Sequence, residues 1–418
     1  GFIKPLPLRS AGVNLPYENL KEMENLILLP PQEVLLRIGR LRGAAVAAGR
    51  TGALLIADNA MLYYLTGRVY SGWAFIPVDE NVNPVWFVRR PVELTGKDVV
   101  EVRKPEEIPS RLEALGISLP EAVGLEMDAL PYSTITRLQA VFPGAESYTA
   151  SPIVAAARSV KTPLEISMME RSGVIHTAVY HKIPSIFSPG MTDFELDVAI
   201  EHLSRLEGCL GQFRIAGKSM EFFMGNVLTG ENADAPSPYD FALGGKGMDP
   251  SLPVGASGEE IKSGTTVSVD VNGDYTGYMT DMTRVFSYGD IPSEAKAAHE
   301  CSLAIHREFR RMAVPGTKAS DIYEMAARLA REAGFERYFM GHRQKAGFCG
   351  HGVGIEINET PVIAPRSRDI LQAGNAIAME PKFVIPRVGA VGIENTYIVT
   401  PEGARCITNA PEEIIPLG

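Results

Sequence analysis

The 418-residue chain has few cysteines, no long apolar run and no excess of positive charge. Its four cysteines show no CxxC spacing, which favours a reducing compartment. No stretch reaches the roughly 18 uncharged apolar residues of a membrane span, and the opening residues lack the apolar core of a signal peptide. The formal net charge of -10 comes without a Lys/Arg stripe and argues against nucleic acid as a partner. We therefore expect a cytoplasmic globular protein with neither membrane nor nucleic acid as a partner.

The length exceeds that of one ordinary domain and fits two. Residues 1–155 predict a mixed α/β domain, because strands such as GALLIA and PVWFVRR alternate with helical stretches such as VLLRIGRLRGAAVAA. Residues 156–418 predict an α+β domain. Its helices are expected at about 163–183, 192–207, 291–312 and 319–333, on one side of the strands.

Five potential metal ligands follow one another in the second half of the chain: Asp270, Asp281, His351, Glu380 and Glu394. The segment VSVDVNGDYTGYMTDMTRVF predicts a hairpin that presents the first two carboxylates. His351 lies between glycines, which let the backbone come close to a ligand. The two glutamates are the sole acids in apolar, strand-like runs, AIAMEPKFVIP and VGAVGIENTYIVT.

A buried, unpaired carboxylate costs several kcal/mol, so these acids need a cation or a proton. Four carboxylates and one imidazole can hold two divalent ions, and oxygen-rich ligation favours Mn, Fe or Co, with Zn possible. Such ions polarise a carbonyl and lower the pKa of water, as amide hydrolysis at neutral pH requires. Taken singly, each acid could instead be a salt-bridge partner or an edge charge.

The order of the ligands and their flanking residues resemble the pita-bread metalloenzyme family of methionine aminopeptidase, prolidase, aminopeptidase P and creatinase. The segment AARSVKTPLEISMMERSGVIH is similar to the start of that family's catalytic domain. The earlier segment RIGRLRGAAVAAGRTGALLIADNAMLYYLTG is similar to the smaller N-terminal domain of the creatinase and prolidase branch. The resemblance implies a pita-bread catalytic domain after a creatinase-like domain, on the Xaa-Pro side of the family.

This resemblance also implies a dinuclear hydrolase that cleaves a peptide bond with water activated by two divalent ions. The expected ions are Mn or Co, with Fe or Zn as alternatives. Glu380 would serve as both ligand and general base. The substrate would be a small peptide or another small molecule. The family's two-domain branch commonly forms homodimers, so we expect one here. Trp73 is a candidate for lining the neighbouring subunit's cleft, with core packing as the alternative.

Two family histidines are replaced here. Ser237, in TGENADAPSPYDF, and Asn358 stand at those positions, and both can donate hydrogen bonds without titrating near neutral pH. We predict that Ser237, Tyr239 and Asn358 bind substrate and that His342 is a second catalytic group, with an ordinary surface-loop histidine as the alternative for His342.

Arg284 and Lys382 are basic residues near the acidic cluster. We expect both to pair with carboxylates rather than to bind substrate.

Three functions fit these residues. The first is an Xaa-Pro peptidase, which needs chiefly an activated water and a carboxylate base. The second is a non-peptidase member, similar to creatinase or to dimethylsulfoniopropionate lyase, that acts on a small polar metabolite. The third is a catalytically silent binding protein, against which the full ligand set argues. We place the peptidase first.

Overall fold

The computed structural model describes residues 24–211, 213–215 and 224–418. Residues 1–23, which belong to the predicted first domain and include the opening residues for which no signal peptide is predicted, lie outside this part. The chain divides into two compact units, of which the first ends at Ala157 and the second begins at Arg158. Within the described ranges, no helix combines the length and the apolar character that crossing a bilayer demands.

The first unit is built on a six-stranded mixed sheet with the order β4-β3-β2-β1-β5-β6. Its strands are β1 (Ala53–Ile56), β2 (Ser71–Pro77), β3 (Val85–Arg90), β4 (Val99–Glu101), β5 (Ala122–Leu125) and β6 (Glu146–Thr149). The helices are α1 (Pro31–Ala47), α2 (Asn59–Thr66), α3 (Ile108–Ala114) and α4 (Tyr132–Gln139), and α5 (Ser151–Ser159) runs across the limit between the units. Apolar side chains of the sheet, such as Leu55 and Phe87, pack with Leu112 and Leu138 of α3 and α4 in one core.

The second unit contains four longer helices: α6 (Pro163–Ile186), α7 (Asp193–Leu206), α8 (Ser293–Met312) and α9 (Ala319–Glu332). One sheet has the order β17-β9-β8-β7, a second has the order β11-β10-β12-β15-β16, and β13 pairs with β14. The strands are β7 (Gly225–Thr229), β8 (Thr265–Asp274), β9 (Met279–Tyr288), β10 (Gly350–Gly352), β11 (Glu359–Ile363), β12 (Ala376–Met379), β13 (Phe383–Ile385), β14 (Gly389–Val391), β15 (Asn395–Thr400), β16 (Gly403–Cys406) and β17 (Ile415–Leu417).

Helices and strands of the second unit share two cores. Helices α6 and α7 pack against the β7–β8–β9 sheet, and α8 and α9 pack with the five-stranded sheet. Two capping boxes begin helices here: Thr192 with Glu195 and Thr162 with Glu165. The predicted α+β class is confirmed, and the four predicted helices agree with the observed ones to within three residues at each end.

Alternate side chains of β8 point towards helices α6 and α7, and those between them point away from these helices. Val267, Val269 and Val271 are buried in the core that contains α6 and α7. Successive side chains of a strand point to opposite faces, so Asp270 and Asn272 face away from those helices. The hydrophobic pattern of β8 therefore fixes the direction of its carboxylate.

Candidate metal centre

The β8–β9 hairpin presents Asp270 and Asp281 on one face. Its antiparallel register places Asp270 opposite Thr283 and Asn272 opposite Asp281. Directly opposed residues share a face, and so do residues two apart on one strand, which makes the two carboxylates diagonal neighbours. Regular strand geometry therefore brings them together.

The other three side chains come from the five-stranded sheet. His351 lies in β10, opposite Ala378 of β12. Glu380 directly follows β12 and Glu394 directly precedes the adjacent β15, so both lie at the same end of this strand pair. The sequence pattern had suggested that both glutamates lie within strands, whereas the structure has them just outside the strand ends.

A threonine joins the two sheets at this point. Thr396 Oγ1 accepts a hydrogen bond from the Asp281 backbone nitrogen and donates one to the Asp281 carbonyl oxygen, both at 2.8 Å. Thr283 Oγ1 donates to Glu394 Oε2, also at 2.8 Å. These bonds fix the hairpin carboxylates relative to those of the second sheet.

The five side chains form two overlapping groups in which the potential ligand atoms lie within 4.8 Å of one another. One group is Asp281, His351 and Glu394, and the other is Asp270, Glu380 and Glu394. His351 Nε2 lies 3.8 Å from Asp281 Oδ2 and 3.4 Å from Glu380 Oε1. Its Nδ1 lies 3.0 Å from the Gly352 carbonyl oxygen. Because a carbonyl only accepts, Nδ1 carries the hydrogen and Nε2 is directed at the carboxylates.

The cluster fits a divalent cation. Glu394 is fully buried, and its Oε1 accepts no hydrogen bond from any residue in the described ranges. Burial raises the pKa of Glu394 well above its ordinary value, and the neighbouring carboxylates of Asp281 and Glu380 add to this effect. Burial and the charge of Asp270 likewise raise the pKa of Asp281. A cation among these oxygens would relieve both effects.

Lys382 pairs with carboxylates, as predicted. Its Nζ donates to Asp270 Oδ2 at 2.6 Å, to Glu380 Oε2 at 2.7 Å and to Glu394 Oε2 at 3.4 Å. Burial alone would raise the pKa of Glu380, but the charges of Lys382 and His351 outweigh it and lower that pKa.

The corresponding prediction for Arg284 is wrong. Its buried guanidinium donates to the Asn395 side-chain oxygen and to four carbonyl oxygens, those of Thr283, Glu394, Thr408 and Ala410. The physical reason is strand alternation: Thr283 faces the acidic cluster, so the next side chain along β9 starts on the opposite face.

All five predicted ligands and Asn358 line one cavity with an empty volume of about 550 Å³, including its open mouth. Much of the remaining wall is apolar and consists of Phe213, Ile215, Phe241, Ala242, Leu243, Phe348 and Ile357. The centre thus combines a charged floor with a mainly hydrophobic wall.

Ser237, Tyr239 and His342 line a neighbouring cavity of about 420 Å³. His342 Nδ1 lies 2.9 Å from Asp234 Oδ2, and Ser237 Oγ donates to the Pro253 carbonyl oxygen at 3.1 Å. The two cavities share residues 240–243 as walls. Of these four residues, only Asn358 lines the cavity of the acidic cluster, and the roles of all four stay predictions.

The apolar wall was not predicted from the sequence. Phe348 lies three residues before His351, and that proximity was the available signal. Phe213 and Ile215 lie outside regular secondary structure, in a segment without a recognisable motif. Their place at the cavity depends on long-range packing.

An oxygen-rich cluster with one imidazole, set in a mainly apolar cavity of an α+β unit, is typical of enzymes that use divalent metal, and hydrolases are one class of them. Residues 167–401 match the profile described as metallopeptidase family M24, and residues 37–160 match that of the creatinase/prolidase N-terminal domain. The chain belongs to metallopeptidase family M24 and carries the N-terminal domain of its creatinase/prolidase branch.

Similar proteins support this assignment. The chain is 28% identical over 389 residues to the uncharacterized peptidase YqhT of Bacillus subtilis, with coverage of 91% of this chain and 100% of the relative. It is 26% identical over 369 residues to an Xaa-Pro dipeptidase of Pyrococcus horikoshii, covering 87% and 94% respectively. The solved structure of an Xaa-Pro dipeptidase from Bacillus anthracis matches with a TM-score of 0.75 and 25% identity, over 92% of this chain and 100% of that chain.

A prolidase from Pyrococcus horikoshii OT3 matches with a TM-score of 0.72 and 22% identity, over 91% of this chain and 99% of that chain. The predicted pita-bread fold with a creatinase-like N-terminal domain is confirmed.

Proposed function

We propose that this chain is an Xaa-Pro peptidase, which hydrolyses the bond before a proline in a dipeptide or at the start of a short peptide. The observation that carries the proposal is the convergence of five potential ligands, from two sheets, in one cavity. The Xaa-Pro dipeptidases among the similar proteins support the choice of substrate.

The cavity wall supports a small apolar substrate. Phe213, Phe241 and Phe348 provide aromatic surface near the acidic floor. Such a surface buries a proline ring or an aliphatic side chain favourably, whereas burial of an unpaired carboxylate against it is unfavourable. We therefore expect better turnover of substrates with an apolar residue before proline than with an acidic residue.

The chemistry follows from the side chains of the floor. Asp270, Asp281, His351, Glu380 and Glu394 would hold divalent metal, which supplies a polarised substrate carbonyl and water of lowered pKa. Glu380 would accept the proton of the attacking water and deliver it to the leaving nitrogen. Asn358 would donate an amide hydrogen bond to substrate, and His342 stays a candidate for a second proton-transfer group.

The number and identity of the metal ions and the oligomeric state stay predictions from the resemblance. They are two divalent ions, preferably Mn or Co and alternatively Fe or Zn, and a homodimer. The cytoplasm is the proposed compartment, supported by four cysteines that are all free thiols.

The test is a turnover assay of the Mn- and Co-loaded protein on a panel of Xaa-Pro dipeptides and tripeptides. Asp281→Ala serves as the control, because it removes one proposed ligand. We expect metal-dependent cleavage that this substitution abolishes. No cleavage by a protein that has bound metal would contradict the proposal and favour the alternative of a small polar metabolite.

A further inference from the structure

Lys382 places a buried ammonium group against the acidic cluster. The residue follows the Glu380–Pro381 pair, precedes β13 and exposes only 1% of its side chain. Its Nζ atom lies 2.6 Å from Asp270, 2.7 Å from Glu380 and 3.4 Å from Glu394. An ammonium group has three hydrogen-bond donors, so each donor can be matched by one carboxylate.

These three carboxylates are the members of one of the two potential metal groups. In the other group, Asp281, His351 and Glu394, Lys382 reaches Glu394 alone. The positive charge of Lys382 is therefore directed at one group, and the imidazole nitrogen of His351 belongs to the other.

Lys382 is held in this place. Its carbonyl oxygen accepts a hydrogen bond of 2.8 Å from the Met340 nitrogen. In the part of the chain that the structure describes, its ion-pair partners within 4.0 Å are the three carboxylates of that group. Turning the ammonium away would leave a buried charge without a partner, which is strongly unfavourable.

A divalent ion in the same group would compete with this ammonium. Metal–oxygen bonds are about 2.0–2.2 Å long, so an ion bound to the Asp270 oxygen would lie within about 5 Å of Nζ. The two positive charges would repel each other in a site with little exposure to screening water.

We propose that Lys382 is the permanent cation of the Asp270–Glu380–Glu394 group, so that the centre retains one divalent ion per chain, at Asp281, His351 and Glu394. The inference rests on the proposed metal centre, but it does not depend on the substrate. It replaces the expectation of two ions that the family resemblance implies, and it makes Asp270 and Glu380 partners of Lys382 rather than metal ligands.

The experiment counts metal ions in the full-length protein. Wild type, Lys382→Met and Lys246→Met are stripped with chelator, loaded with Mn²⁺, desalted and analysed by mass spectrometry for metal per chain. Lys382→Met removes the charge and keeps much of the side-chain volume. Lys246→Met is the matched control, because it breaks an exposed ion pair with Glu259. We expect one retained ion in wild type and in the control, and two in Lys382→Met.

Two retained ions in wild type would overturn the inference, and so would a folded Lys382→Met that still retains one. No retained ion in wild type would overturn the metal centre and with it the proposed function. If Lys382→Met does not fold, anomalous scattering from Mn-loaded wild-type crystals decides. One peak at Asp281, His351 and Glu394, with Nζ still bonded to Asp270 and Glu380, supports the inference, and a peak bound to Asp270 contradicts it.

Discussion

Glu380 has a cationic or potentially cationic partner on each of its two oxygens. Oε1 lies 3.4 Å from His351 Nε2, and Oε2 lies 2.7 Å from Lys382 Nζ. Burial of this side chain favours the neutral acid, but the two partners outweigh burial and keep the group ionised. A carboxylate that is both ionised and close to the cavity can bind metal or accept a proton.

We predict that Glu380→Gln lowers kcat at least about 100-fold, because general-base catalysis contributes roughly 10²–10⁴-fold. The amide is close to the carboxylate in size, so the fold is expected to persist. The measurement is steady-state turnover on the best Xaa-Pro substrate, with circular dichroism to check the fold. A folded variant with turnover within tenfold of wild type would show that Glu380 is not the base.

At the level of secondary-structure elements, a buried ion cluster ties the segment before α6 to the start of β11. Glu359 Oε2 accepts from Lys161 Nζ at 2.6 Å, and Oε1 accepts from Arg158. Arg158 also pairs with Glu356 at 2.7 Å. Burial alone would raise the pKa of Glu359, but Arg158 and Lys161 outweigh it and lower that pKa to about 2. Asn358, the proposed substrate contact, directly precedes Glu359.

We predict that Glu359→Gln lowers the free energy of unfolding by about 3 kcal/mol, because removing one partner leaves buried positive charges uncompensated. Urea denaturation at pH 7 measures the change. Glu336→Gln is the matched control, since Glu336 pairs with Arg331 on the surface and such pairs contribute little. Equal midpoints for the two variants would mean that the buried cluster does not stabilise this unit.

His306 connects α8 to β15 as a neutral imidazole. Its Nδ1 lies 2.9 Å from the Tyr397 hydroxyl, and its Nε2 lies 3.0 Å from the Ile393 carbonyl oxygen. The carbonyl only accepts, so Nε2 carries the hydrogen and Nδ1 accepts from the tyrosine. Burial lowers the pKa of His306 to about 3.

The lowered pKa of His306 determines whether the free energy of unfolding rises or falls with pH. Between the unfolded pKa of about 6.5 and the folded pKa of about 3, the unfolded chain binds the extra proton. The contribution of neutral His306 to the free energy of unfolding is therefore present above about pH 6.5. It is lost as pH falls below that value, by about 1.4 kcal/mol per pH unit. We predict that His306→Gln is less stable at pH 7 but loses stability less steeply between pH 6 and pH 5.

Urea titrations at pH 7, 6 and 5 measure this slope. The control is His202→Gln, which removes an imidazole from the exposed face of α7 and should leave the slope unchanged. A slope in His306→Gln equal to that of wild type would rule out His306 as a source of the pH dependence.

Structure that depends on local patterns could be predicted from the sequence, whereas structure that depends on long-range contacts could not. Helix α7 and the β8–β9 hairpin depend on patterns within one segment, and both were predicted. Ser237 was predicted to bind substrate; it lines the cavity next to that of the acidic cluster, where Gln344 bonds its backbone nitrogen and carbonyl. The contact between Ser237 and Gln344 joins residues 107 positions apart, and no local pattern in either segment predicts it.

For the whole molecule, the family resemblance predicts a homodimer in which the first unit of one chain completes the cavity of the other. Trp73 of β2 is the proposed contact. It lies opposite Phe87 of β3 and is partly buried at the edge of the first unit's core, so part of the indole is free for a partner. Tryptophan is enriched at such interfaces because it buries a large apolar area.

We predict that Trp73→Ala and Glu380→Gln are each inactive alone and complement each other when mixed and allowed to exchange subunits. In a mixed dimer, the chain with Trp73→Ala keeps its own Glu380 and receives the intact Trp73 of its partner. Random exchange makes half of the dimers mixed, each with one working cavity, so about a quarter of wild-type activity should return. Turnover after mixing, with light scattering for the mass, measures this. Full activity of Trp73→Ala alone, or a monomeric mass, would contradict the shared cavity, because each chain would then hold all that its reaction requires.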